Sequence, residues 1–252
     1  MTPLSAPRLR CSETEIFSAL REVLPLESEI RAAEEREDSL AEDPAMDVDA
    51  LREMNPSPWF EAWIESKRSR WRCATRRVDD LLTQDLKRRR RLVRDLLSWS
   101  VPEESAVRDL CAMLANEIGS GPLVISVGSG AGLWERLLEL NGVHVIATDA
   151  QPPANTWIEC SKQEASAAVR ANPTADCLMT VWPPAWETCA LSALEVFHGD
   201  YVIYVGEGID GCTDDGAYTK LATDGSWTEV LHRQIPRYYG AYDFLSLHKR
   251  KR

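Results

Sequence analysis

Apolar residues recur along the first half of this chain at three-, four- and seven-residue steps and along the second half in short unbroken runs, and the two patterns predict different structure. Asn55-Pro56-Ser57-Pro58 supplies a capping serine and a proline suited to a first helical turn. From there Trp59, Phe60, Trp63, Ile64, Trp71, Val78, Leu81, Leu82, Leu86, Val93, Leu96 and Leu97 mark a long amphipathic helix up to Trp99, or two helices with a break near 70–74. A further helix follows Ser100-Val101-Pro102, runs through Ala106, Leu110, Leu114 and Ile118, and stops at Gly119 and Gly121. The stretch 27–55, rich in Glu and Asp, reads as short helix and loop.

From Pro122 strands and helices alternate. Leu123–Val127 is a continuous apolar run, as expected for a strand covered on both faces. A helix through Leu133–Leu140 and a strand Val143–Ala147 ending at Asp149 follow. Trp157–Glu159 is the expected third strand, Glu164–Arg170 a helix, Cys177–Val181 the fourth strand, Leu191–Phe197 a helix and Tyr201–Val205 the fifth strand. Thr228–Gln234 and Phe244–His248 predict a terminal hairpin with no helix between its strands. The fold class is therefore α/β, a doubly wound sheet with a C-terminal antiparallel hairpin (101–252), preceded by an α-helical N-terminal region (1–100).

Composition narrows the function classes. A chain of 252 residues with 44% hydrophobic content can bury one α/β core and carry a helical appendage. No run approaches the ~20 apolar residues of a membrane span, and MTPLSAPRLRCSE lacks the apolar stretch of a signal peptide, so no membrane partner and a cytoplasmic or nuclear location are expected. The seven cysteines are dispersed without a CxxC pair or a nearby histidine at ligand spacing, which predicts reduced thiols and no metal site. His144, His198, His232 and His248 read as structural, with no nucleophile–His–acid order.

The net charge of −11 hides a segregation. Glu27 to Glu53 holds eleven acidic and three basic residues, whereas Lys67 to Arg94 holds twelve basic and three acidic. Lys87, Arg88, Arg89, Arg90, Arg91 and Arg94 wrap around more than one face of a helix, and they either bind a nucleic-acid backbone or are neutralised by the acidic segment.

The candidate chemistry begins at Gly128-Ser129-Gly130-Ala131-Gly132. A glycine-rich turn between a buried strand and a helix lets a ligand approach the backbone and offers helix N-terminal amides. Asp149, at the end of the next strand and 21 residues after Gly128, stands where a carboxylate accepts from ribose hydroxyls. The dinucleotide spacing GxGxxG is not met, since Leu133 takes the last glycine's place.

The GxGxG form together with the terminal hairpin resembles the class I S-adenosylmethionine-dependent methyltransferases, which have a Rossmann-like fold; the resemblance covers roughly residues 105–252. It implies S-adenosyl-L-methionine as cofactor, held by Ser126, Gly128, Ser129, Gly130, Gly132 and Asp149. In that family an acid usually stands two residues before the first glycine; this chain has Ser126 there. Trp182-Pro183-Pro184-Ala185-Trp186 looks like the D/N-P-P-Y/F/W motif of amino-group methyltransferases, with a rigid diproline and a stacking Trp186. Trp182 replaces the polar acceptor, and an indole N–H only donates.

Glu207, between Gly206 and Gly208 after the fifth strand, is placed to act as base or acceptor. The catalytic candidates are thus Trp182, Pro183, Pro184 and Glu207. The implied function is a methyltransferase acting on nucleic acid or a protein. The alternative is a non-catalytic methyltransferase-fold protein serving as binding or scaffold subunit of a complex, in which case a protein partner is expected.

Overall fold

In a computed structural model the described residues are 11–24, 27–41, 94, 98–209, 211–213, 216–238 and 240–251. Seven strands form one mixed sheet: β1 (Leu123–Val127), β2 (His144–Asp149), β3 (Cys160–Lys162), β4 (Cys177–Val181), β5 (Tyr201–Gly206), β6 (Trp227–Gln234) and β7 (Phe244–Arg250). Their spatial order is β3-β2-β1-β4-β5-β7-β6. The first five run parallel, β7 lies antiparallel to β5, and β6 lies antiparallel to β7. This is the doubly wound, Rossmann-like sheet with a C-terminal antiparallel hairpin that the sequence predicts.

The described helices are α1 (Glu13–Val23), α2 (Glu27–Ala41), α3 (Glu104–Glu117), α4 (Leu133–Leu140), α5 (Ala165–Ala171), α6 (Cys189–Val196) and α7 (Ala217–Thr223). The period-two alternation of strand side chains divides the core between the two faces. Along β5, Tyr201, Ile203 and Val205 join Leu110 and Leu114 of α3 and Leu137 of α4. Val202 and Tyr204 point the other way, to Ala168 of α5, Ala193 and Leu194 of α6 and Leu221 of α7. Both faces are covered, so a polar group needs a partner unless it sits where the helices give way at the strand ends.

Helix starts follow their capping chemistry. Ser12 and Glu15 form a reciprocal capping box at α1. Glu103 accepts from the Ser105 and Ala106 amides at the start of α3, one residue after Pro102.

Ile16, Phe17 and Leu20 of α1 belong to the same core cluster as β1 and β5. One compact unit takes in residues 1–24 and 91–252, and a second takes in 25–90. In the second unit α2 is the described element, with Ile30 and Ala33 buried. The amphipathic helix expected from Pro58 to Trp99 lies outside the described residues except at 94, 98 and 99. So do Lys87, Arg88, Arg89, Arg90 and Arg91 of the basic cluster.

The third strand is at Cys160–Lys162 rather than Trp157–Glu159. Trp157 and Ile158 serve the glycine turn instead: the Trp157 amide donates to Ala131 O at 2.7 Å and both side chains are buried. Helix α7 is an addition. Its N-cap is Gly216, left-handed at φ 101° and without a side-chain cap, so no start signal marks it.

Candidate cofactor cleft and its rim

Gly128, Gly130 and Gly132 have φ of 65°, 53° and 75°, a region that costs an L-residue strain. A Cβ on Gly128 or Gly130 would meet nothing within 4 Å, whereas one on Gly132 would stand 2.6 Å from Ile158 Cγ2. The first two glycines therefore face open space, and the third is needed for packing.

The turn is tied to β2. The Ser129 amide donates to Thr148 O at 3.0 Å, the Thr148 amide donates to Ser129 Oγ at 3.2 Å, and the Thr148 hydroxyl donates to Ser126 O at 2.8 Å. Asp149 completes the link. Its Oδ2 accepts from the Gly130 amide at 2.9 Å and its Oδ1 from the Gln151 amide at 2.7 Å. Each oxygen keeps a second lone pair for a ligand hydroxyl.

Where an acid was expected two residues before the first glycine, Ser126 donates its hydroxyl to Glu135 Oε1 at 2.6 Å. Glu135 comes from the first turn of α4 and is 1% exposed. Ser129 Oγ donates to Ser126 Oγ at 3.1 Å, which adds a link to the same chain. Burial pushes the Glu135 carboxyl up to about 7; the Ser126 and Ser129 hydroxyls oppose the shift and Asp149 adds to it. Sequence reasoning missed this residue, because an acid in a helix's first turn ordinarily faces solvent and complements the helix dipole.

A cleft of about 340 Å³ opens beside the turn, bounded by residues 128–135, Gln151, Val181, Trp99 and Arg94. It lies at the carboxyl ends of β1, β2 and β4, where the fold leaves a crevice. A larger cavity, about 790 Å³, lies at the opposite edge against Asp176, Tyr201 and Lys249, away from the glycine turn.

The diproline loop begins at the end of β4, next to β1. Among the described residues Trp182 is the only non-glycine with left-handed φ, at 56°. Such a conformation costs about 1–3 kcal/mol and persists where its surroundings fix it. Two donors fix it here: the Trp182 amide donates to Val205 O at 2.7 Å, and the indole Nε1 donates to both oxygens of buried Asp243, at 3.0 and 3.1 Å. The indole ring packs 5.1 Å from Trp99, over which the Arg94 guanidinium lies at 4.3 Å. Pro183 is buried and Pro184 half-buried, while Trp186 is 75% exposed.

Glu207 is buried, and both its oxygens accept from backbone. Oε1 takes the Tyr242 amide at 2.8 Å and Oε2 the Cys212 amide at 2.6 Å, so this side chain brackets the loop after β5 to the segment before β7. A Cβ on Gly206 or Gly211 would meet Thr213 Oγ1 or Glu207 Cβ at 2.6 and 2.5 Å, so those glycines let the bracket close. Asp243, which the sequence did not single out, lies in the same segment. Trp99, Trp186, Ile209 and Tyr242 expose large apolar surface on loops at this edge of the sheet.

Among the described residues no group of three His, Cys, Asp or Glu side chains is placed to hold a metal ion. None of their helices is long and apolar enough to cross a membrane.

No family model matches the chain, and no curated protein does. Among solved structures, it is similar to the 1,6-didemethyltoxoflavin N1-methyltransferase of Burkholderia thailandensis at 16% identity and a TM-score of 0.44, over 68% of this chain and 88% of that one. The magnesium protoporphyrin IX methyltransferase of Synechocystis is similar at 14% identity and a TM-score of 0.43, over 83% and 100%. An O-methyltransferase of Bacillus cereus is similar at 12% identity and a TM-score of 0.45, over 77% and 97%.

Proposed function

We propose that the protein is an S-adenosylmethionine-dependent methyltransferase. The observation that carries the reading is the open glycine turn clamped by Asp149: two left-handed glycines face a cleft, and the carboxylate that holds the second of them stands at the end of the neighbouring strand. A nucleoside's ribose hydroxyls find an acceptor in Asp149, and the glycine turn admits the methionyl chain. The bound cofactor would supply a methyl group on a sulfonium. The chain's own part is to hold an acceptor nucleophile in line with it, which requires positioning more than acid–base machinery. Pro183 and Pro184 provide a rigid wall for that purpose beside the cleft.

Nucleic acid is the acceptor class that the basic cluster supports. Arg94, its described member, stands at the cleft itself. A cytoplasmic location goes with this reading, in a compartment where thiols stay reduced.

The test is calorimetric titration with S-adenosylhomocysteine beside NAD, followed by transfer of labelled methyl groups to RNA and DNA. Saturable binding of the first ligand and not the second is expected, with transfer that weakens as salt rises. Absence of S-adenosylhomocysteine binding at millimolar concentration overturns the cofactor. Binding without transfer to any acceptor favours the non-catalytic scaffold.

A further inference from the structure

Glu135 is an acid in a place that costs stability. A carboxylate removed from water needs either a proton or a positive partner. Among the described residues, Asp149 at the end of β2 acts on it as a second acid, Glu135 in turn acts on the Cys160 thiol of β3, and the Arg94 guanidinium lines the same cleft. The hydrogen-bond supply of Glu135 is nonetheless organised for an acceptor. The Thr148 amide donates to Ser129, the Ser129 hydroxyl to Ser126, and the Ser126 hydroxyl to Glu135 Oε1, a one-way chain that ends on the carboxylate. The other oxygen, Oε2, stands 3.9 Å from the position of a Cβ built on Gly132, under the glycine turn, and Glu135 contributes to the cleft wall.

We propose that Glu135 receives the cationic end of the cleft's ligand, the α-ammonium group of S-adenosylmethionine's amino-acid part. The proposal rests on the cofactor reading above. Ser126 and Ser129 are positioning residues: they fix the carboxylate and carry no charge to the ligand.

Two consequences are measurable. An ammonium can be paired only by the ionised carboxyl, which burial has pushed up to about 7, so binding releases a proton and weakens as pH falls below that value. The weakening approaches tenfold per pH unit. A ligand without the amino-acid part feels none of this.

The experiment titrates the wild-type protein between pH 5.5 and 7.5 with two probes, S-adenosylhomocysteine and 5′-methylthioadenosine, which keeps the nucleoside and lacks the ammonium, and repeats both with Glu135→Gln. For S-adenosylhomocysteine we expect steep loss at low pH in the wild type and a flat profile in Glu135→Gln, with affinity near neutrality about ten- to a hundredfold lower. For 5′-methylthioadenosine we expect nearly equal affinity in both proteins at every pH. Equal pH dependence of the two probes in the wild type, or equal loss of both in a folded Glu135→Gln, overturns the role of Glu135 and leaves the cofactor reading standing. If neither probe binds the wild type, the cofactor reading itself has failed. Should Glu135→Gln not fold, the wild-type comparison of the two probes decides, and Ser126→Asp combined with Glu135→Ser returns the acid to the strand for a second comparison.

Discussion

The indole N–H of Trp182 donates to both carboxylate oxygens of Asp243, at 3.0 and 3.1 Å, across 61 residues of sequence. The bond joins the diproline loop to the first turn before β7, and it engages the one donor that the indole could have offered to a substrate. Asp243→Ala leaves a buried N–H without its acceptor, an expected cost of about 1–3 kcal/mol. Thermal melts should show it at roughly 2–4 °C for each kcal/mol. S-adenosylhomocysteine affinity should stay within twofold, because Asp243 is not part of the glycine cleft.

Pro184→Ala should spare cofactor affinity and lower the transfer rate, since it relaxes the wall without touching residues 128–132. Single-turnover methyl transfer and calorimetry on the same preparation separate the two. Loss of cofactor binding in this variant would place the loop in the cofactor site.

Asp149→Ala should weaken S-adenosylhomocysteine about ten- to a hundredfold, through the lost acceptor for the ribose diol. A strand-end carboxylate read from sequence has no structural duty. This one holds the Gly130 and Gln151 amides, so the variant should also melt a few degrees lower. A melt that is unchanged while binding collapses would assign Asp149 to the ligand alone.

Gly130→Ala and Gly132→Ala should differ. Both add a side chain where φ is positive, at about 1–2 kcal/mol. At Gly132 the new Cβ also meets Ile158 Cγ2 at 2.6 Å, so stability falls further; at Gly130 it enters open space, so ligand affinity falls more than stability. The ratio of binding loss to melting shift, measured for each, is the discriminating quantity.

The pH dependence of stability has two opposed contributors. Burial pushes His248 down from 6.5 to about 4, so between those values the unfolded chain binds the proton and stability falls as pH falls. Glu135 goes from 4.5 up to about 7, so there the folded chain binds the proton and stability falls as pH rises. From pH 4.5 to 6.5 the two largely cancel. Glu135→Gln should uncover the histidine as a loss approaching about 1.4 kcal/mol per pH unit on acidification, read by denaturant titration. A flat profile in that variant would show that His248 titrates alike in both states.

Strands β1, β4 and β5 were legible because burial on both faces demands unbroken apolar runs, and the hairpin because its two runs lie close in sequence with no helix signal between them. Strand β3 was not. It is a short edge strand of Cys, Ser and Lys, and the apolar Trp157 and Ile158 just before it are spent on the glycine turn. The glycine turn and Asp149 are paired by adjacent strands, which makes their spacing regular enough to read. Glu135 turns inward from the first turn of α4, just after the glycine turn, and Asp243 meets Trp182 across 61 residues of sequence; no local pattern announces either contact.

The position of β7 bears on how the chain is made. In sequence it follows every other strand, yet in the sheet it stands between β5 and β6, and β6 joins the sheet through β7 alone. During synthesis β6 emerges before β7, its neighbour in the sheet, and the β5 edge stays open until the sixteen residues 235–250 have followed. The sheet is thus sealed from within by a late arrival, and an unsealed β5 edge is the point at which a nascent or newly released chain is most open to chaperones and to unwanted strand partners.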